Sequence, residues 1–121
     1  MCYTTKSIDD ITGIRHVDGK ITAQIRVPAG AVWFDGHFPG IAVLPGVAQL
    51  AIIADVLGKI LEKPIRVTNV SRVRFKQAIM PDELIDVQIT PRENDLLTCG
   101  FRLLKGNELA CSGFLKAVAD I

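Results

Sequence analysis

The sequence predicts an α+β fold in which one antiparallel sheet wraps around a single long apolar helix. Three observations predict it. The stretch Lys20 to Val27 alternates apolar and polar residues directly behind a turn signal. The run from Pro45 to about Glu62 is apolar on almost every helical face. After Pro64 the chain returns to two-residue alternation, punctuated by turns. A helix apolar nearly all round belongs inside a structure, and a strand with one apolar face covers it.

Each element follows in order. Asp18-Gly19 is a hairpin signal, so Ile11 to Val17 is expected to pair with Lys20 to Val27. In the second strand Ile21, Ala23, Ile25 and Val27 take one face and Lys20, Thr22, Gln24 and Arg26 the other. Pro28 to Gly40 breaks every period, yet it holds Trp33, Phe34 and Phe38, three of the seven aromatic residues. A loop this apolar is expected to pack over the core or line a site. The helix from Pro45 is too long for a strand, and Pro64 ends it. Strands are then expected over Ile65 to Lys76, around Ile85, Val87 and Ile89, around Leu97 to Leu103, and over Glu108 to Val118. Pro81-Asp82 and Gly106-Asn107 supply turns between them.

Composition narrows the function. The chain has 121 residues, net charge +1, and is 49% hydrophobic before its ten glycines are counted. Globular domains reach only ~45–50% with glycine included. Disorder is excluded, because it needs few apolar residues and a large net charge. A strongly basic nucleic-acid binder is excluded for want of net positive charge. The length suits a single domain over residues 1–121. Its apolar surplus is expected to line a subunit interface, an apolar ligand tunnel, or both.

The N-terminal residues carry no apolar signal-peptide core, so a cytoplasmic protein is expected. The longest apolar stretch, Ile41 to Leu57, is interrupted by Pro45, Gly46, Gln49 and Asp55, short of the ~20 residues a membrane span needs. Three cysteines without a Cys-x-x-Cys pair indicate neither a disulfide framework nor a metal site. Cys99 and Cys111 fall in strand-like runs and read as reduced core residues. No cofactor is implied. His16, beside the Asp18-Gly19 turn, reads as a surface residue.

Residues 36 to 50 read Gly-His-Phe-Pro-Gly-Ile-Ala-Val-Leu-Pro-Gly-Val-Ala-Gln-Leu. Arg74-Phe75-Lys76 precedes Pro81-Asp82 by four residues. In both motifs and in element order the chain resembles the 3-hydroxyacyl-acyl carrier protein dehydratases of fatty acid synthesis, a hotdog-fold family. The resemblance implies a dimer, or a larger assembly of dimers, whose sheets join and whose acyl site lies between subunits. It also implies a thioester substrate on an acyl carrier protein.

The chemistry asks for specific groups. Dehydrating a 3-hydroxyacyl thioester needs a base for the C2 proton and an acid for the departing hydroxyl. A donor must also hold charge growing on the thioester oxygen. His37 matches the family's catalytic histidine, and imidazole titrates near neutrality. Gly46, at the helix start, matches the glycine whose N–H binds the thioester carbonyl, at the positive end of the helix dipole. Phe38, Pro45 and Val47 fall beside them in the same motif and are expected to line the substrate.

The chain departs from the pattern in one position that matters for chemistry. The family places a Glu or Asp fourteen residues after the histidine; here that residue is Ala51. Ala42 also stands where the family has its first proline, and Pro81-Asp82-Glu83 is one residue shorter than the family's turn. Gln49 lies about 200° round the helix from position 51 and so faces away. Asp55 lies about 40° round and ~6 Å along, on the same face. It reads either as a relocated acid or as an i, i+4 partner of Lys59. Asp35 is a further carboxylate near His37, equally explained by loop capping.

Arg72, Arg74 and Lys76 alternate along one strand and share a face. They read either as a landing site for an acidic carrier protein or as a charged sheet edge guarded against aggregation. Three functions remain open. One is a hydro-lyase using His37, with Asp55 as acid. A second is a non-catalytic acyl-carrier-binding module or partner subunit. The third is an acyl thioesterase on the same fold.

Overall fold

The structure, a computed structural model, describes residues 10–27, 44, 46–93 and 95–119. Six strands and one helix follow the expected order: β1 (Asp10–Val17), β2 (Lys20–Arg26), α1 (Gly46–Leu61), β3 (Ile65–Phe75), β4 (Leu84–Arg92), β5 (Asp95–Lys105) and β6 (Glu108–Ala119). The strands form one antiparallel sheet in the order β1-β2-β4-β5-β6-β3. The connection carrying α1 therefore leaves β2 near one edge and returns as β3 at the other. The aromatic loop expected at Pro28 to Gly40 lies outside the described residues.

The alternation of β2 becomes burial. Ile21, Ala23 and Ile25 are buried and their neighbours exposed. Asp18 and Gly19 both have positive φ (53° and 78°), as the tight turn between β1 and β2 requires. On β4, Ile85, Val87 and Ile89 continue the same face, opposite Ile25, Ala23 and Ile21. Cys99, Phe101 and Leu103 extend it on β5.

Helix α1 lies on this face and buries Ala48, Ala51, Ile52, Ile53, Val56 and Leu57. Fully burying one such aliphatic side chain is worth about 1.5–3 kcal/mol, so the helix is held by packing. It ends at Glu62, in the left-handed region (φ 55°), with the Lys63 N–H donating to Gly58 O at 3.3 Å. That six-to-one bond is a Schellman cap, and Pro64 prevents continuation.

Strand β3 is less regular than alternation predicts. Its pairing with β6 shifts register twice, once between Ser71 and Arg74, where Arg72 has φ 53°. A bulge of this kind inserts residues on one strand and bends it. Lys76 lies just past its end, held to β6 by its N–H donating to Ala110 O at 2.8 Å. Cys99 and Cys111 are free, buried thiols, and His16 is exposed. Among the described residues no helix is long and apolar enough to cross a membrane.

Candidate active site at the start of the central helix

The approach to α1 is fixed by two hydrogen bonds. Leu44 N–H donates to Ile79 O at 2.8 Å, and Gln49 Nε2 donates to Leu44 O at 3.1 Å. Residue 44 is thus held both to the segment after β3 and to the first turn of the helix that follows it. The sequence reading set Gln49 aside as facing away from position 51, but it is 4% exposed and ties the helix start in place. Its Oε1 is buried without a hydrogen-bond partner among the described residues. A glutamine inside an otherwise apolar helical run was the signal for this role, since a buried amide must find partners.

Gly46 opens the helix, so its amide and those of Val47 and Ala48 have no partner within the helix. The first turn holds no acidic residue. The positive end of the helix dipole is therefore not neutralised from within, and an oxyanion can use it. The Phe75 ring lies against the Gly46 Cα, with ring Cζ 2.8 Å from where a Cβ would stand. Phe75 is 54% exposed, so much of its ring is left for other contacts. Val47 is exposed beside it.

Ala51 is buried in the helix core and offers a methyl group only. Asp55 is half-buried one turn further along the same helix. His37, Phe38, Pro45 and Asp35 lie outside the described residues.

The three basic residues at and just past the end of β3 share a surface, although the bulge intervenes. Arg72, Arg74 and Lys76 line a groove of about 490 Å3 on the sheet face opposite α1. The groove also takes in Arg102 of β5, which sequence reading did not single out, with Gln88, Thr90 and Ser112. Only the register of β3, β6 and β5 brings Arg102 there, and register is not a local property of sequence.

A six-stranded antiparallel sheet packed on one buried helix is the hotdog fold. One solved structure alike in fold is a chain of the dehydratase heterocomplex ApeI:P from Xenorhabdus doucetiae (TM-score 0.76, 22% identity, covering 88% of this chain and 95% of that one). The ApeI-like family model, described as ApeI dehydratase, matches residues 13–114, and the chain belongs to that family. Relatives include the 3-hydroxyacyl-acyl-carrier-protein dehydratase FabZ of Legionella pneumophila. The strain Lens protein is 30% identical over 124 residues, covering 88% of this chain and 83% of the relative. The strain Corby protein is 29% identical over 121 residues, covering 87% and 81%. The chain is thus a FabZ-like hotdog protein with a dehydratase-like function.

Proposed function

We propose that this protein dehydrates 3-hydroxyacyl thioesters presented by an acyl carrier protein, working as a dimer or an assembly of dimers. The observation that carries this reading is the start of α1: a Gly46 amide with no partner inside the helix, a first turn without carboxylates, and the Phe75 ring alongside. The thioester oxygen accepts from the Gly46 N–H, which stabilises charge as the C2 proton leaves. His37 takes that proton. The C3 hydroxyl departs as water once an acid supplies its proton, a role assigned to Asp55 across the shared helical face. Phe38, Pro45 and Val47 form the walls beside the acyl chain. Arg72, Arg74 and Lys76 receive the acidic carrier.

The test is incubation of a 3-hydroxyacyl-carrier substrate with wild type and with His37→Ala. Dehydration is expected in the wild type alone, and equal absence of product from both sinks the reading.

A second reading is favoured by Ala51, a buried methyl where the family's acid belongs. On this reading the chain is a carrier-binding partner subunit, and another hotdog chain supplies the carboxylate. The ApeI:P dehydratase, alike in fold, is a heterocomplex, which supports this reading. Ala51→Glu separates the two. Gain of turnover in the isolated chain favours a partner-completed site, and no gain leaves Asp55 as the acid to be tested by Asp55→Asn.

A further inference from the structure

We infer that Gln49 is the positioning residue of the proposed site: its buried carboxamide holds the Leu44 carbonyl, and that bond aims the Gly46 N–H. The inference rests on the reading of Gly46 as the thioester donor and adds the device that directs it.

Gln49 is out of character with its surroundings. Among the described residues it is the one polar side chain buried in the core, at 4% exposure. Its Nε2 donates to Leu44 O at 3.1 Å, while its Oε1 takes no donor among the described residues. Burying an amide with its oxygen unpaired lowers stability. A methionine or leucine would fill the same space in so apolar a helix without that cost. What the amide gains is therefore its grip on residue 44. Its oxygen could have capped the amides of Gly46, Val47 or Ala48, and it accepts from none of them. Gln49 thus leaves those N–H groups to a ligand.

The grip closes a clamp. The Leu44 N–H donates to Ile79 O at 2.8 Å, so this buried residue is held by its N–H and its carbonyl alike. The far jaw is braced in turn. Lys105 Nζ donates to Ala78 O at 2.7 Å and pairs with Glu83 at 3.1 Å. The Asp82 N–H donates to Val27 O at 2.8 Å. The carbonyl that holds Leu44 therefore belongs to a segment pinned from β5 and from the residue after β2.

Chain chemistry carries the clamp to Gly46. The Leu44 carbonyl belongs to the planar peptide that joins residue 44 to Pro45. A proline ring fixes φ at about −65°. One backbone rotation remains between the held peptide and the Gly46 N–H, so turning the carbonyl turns the donor. Such a donor works only when it is already aimed at the place where charge develops.

Two readouts on the full chain test this. Residual dipolar couplings of the isotopically labelled protein report N–H directions without turnover. Gln49→Met fills the space and donates nothing; in it the Gly46 coupling is expected to change while those of Ile52 to Leu57 stay. In Gln49→Glu the protonated carboxyl keeps one donor and the carboxylate has none. Raising the pH should therefore carry the Gly46 coupling from the wild-type value to that of Gln49→Met, within one folded sample. Turnover of a 3-hydroxyacyl-carrier substrate should follow. In Gln49→Met, kcat should fall about tenfold to a hundredfold with KM within about twofold of wild type. In Gln49→Glu, kcat should fall with rising pH along a limb that the wild type lacks. An unchanged Gly46 coupling in both variants overturns the proposal, as does a loss confined to stability or KM with kcat intact. A wild type that dehydrates nothing, but whose Gly46 coupling moves in both variants, refutes the catalytic reading and leaves the clamp standing.

Discussion

The ring of Phe75 rests on the Cα of Gly46, closing the space that any side chain at the first residue of the helix would fill. The contact joins the edge strand to the helix start, the two elements on which the proposed thioester site depends. It also makes the glycine's lack of a Cβ a packing requirement rather than a conformational one.

Gly46→Ala should therefore reveal the contact through coupling. The added methyl must push the ring aside, and Phe75 is exposed enough to swing away. The stability cost should stay within about 1 kcal/mol, since alanine is the better helix former by a similar amount. With Phe75→Ala present the clash is gone, and Gly46→Ala should become stabilising. A double-mutant cycle by urea denaturation is expected to give about 0.5–1.5 kcal/mol of coupling between the two sites. Strict additivity would show that the ring and the glycine are independent.

Two glycines one register step apart on β5 and β6, Gly100 opposite Phe114 and Gly113 opposite Phe101, should respond very differently. A Cβ at Gly113 would stand 3.0 Å from Phe101 Cζ and Val73 Cγ2, and 3.1 Å from the Val73 backbone Cα. Phe101 is buried and the backbone cannot yield, so Gly113→Ala should cost about 1–3 kcal/mol by overpacking. A Cβ at Gly100 would press on the Phe114 ring alone, at 3.2 Å on the outer face, with the Gly113 carbonyl oxygen at an ordinary 3.9 Å. Gly100→Ala should fall within about 0.5 kcal/mol of wild type. Equal costs in denaturation experiments would contradict this division of the sheet into a filled face and an open one.

The buried thiols set an alkaline limit to stability. Burial pushes the Cys99 thiol up to about 11, with nearby Asp95 adding to the effect, and burial alone pushes Cys111 to about 11. In the unfolded chain both ionise near their ordinary value of 9.0. Their folded values being raised, the stability they support is complete below pH 9.0 and is lost as pH rises through about 11. Urea midpoints are expected to fall across that window. In a Cys2→Ser background, thiol reagents at pH 8 should react with the unfolded protein and hardly at all with the folded one. Rapid labelling of the native protein would place the thiols outside the core.

Period and punctuation made most of the architecture legible. The β2 alternation, the all-round apolar helix and the Asp18-Gly19 turn are local patterns, and each maps onto an element within a residue or two. The site was legible in part, because Gly46 and the Arg72–Lys76 stretch sit in contiguous motifs. What escaped depends on partners distant in the chain. Arg102 joins the basic groove only through Ser112, and Gly113 is tight only because Phe101 and Val73 meet over it. The anchoring role of Gln49 did not follow from its helical angle. Helical phase said where it points relative to Ala51, but not that Leu44 would fold back to accept its amide.

The sheet order has a bearing on when the molecule becomes competent. Among the described residues strand β3 pairs with β6 alone, Ile65 opposite Ala119, so its place in this sheet does not exist until β6 has been made. A chain emerging from the ribosome can close the β1–β2 hairpin early, but Phe75 has no fixed position from which to meet Gly46 until β6 is available. Contacts this remote in sequence form slowly, because loop closure must precede them. Assembly of the proposed thioester site thus waits for β6, and a nascent chain paused before β6 would hold its helix and its motifs without the strand that brings them together.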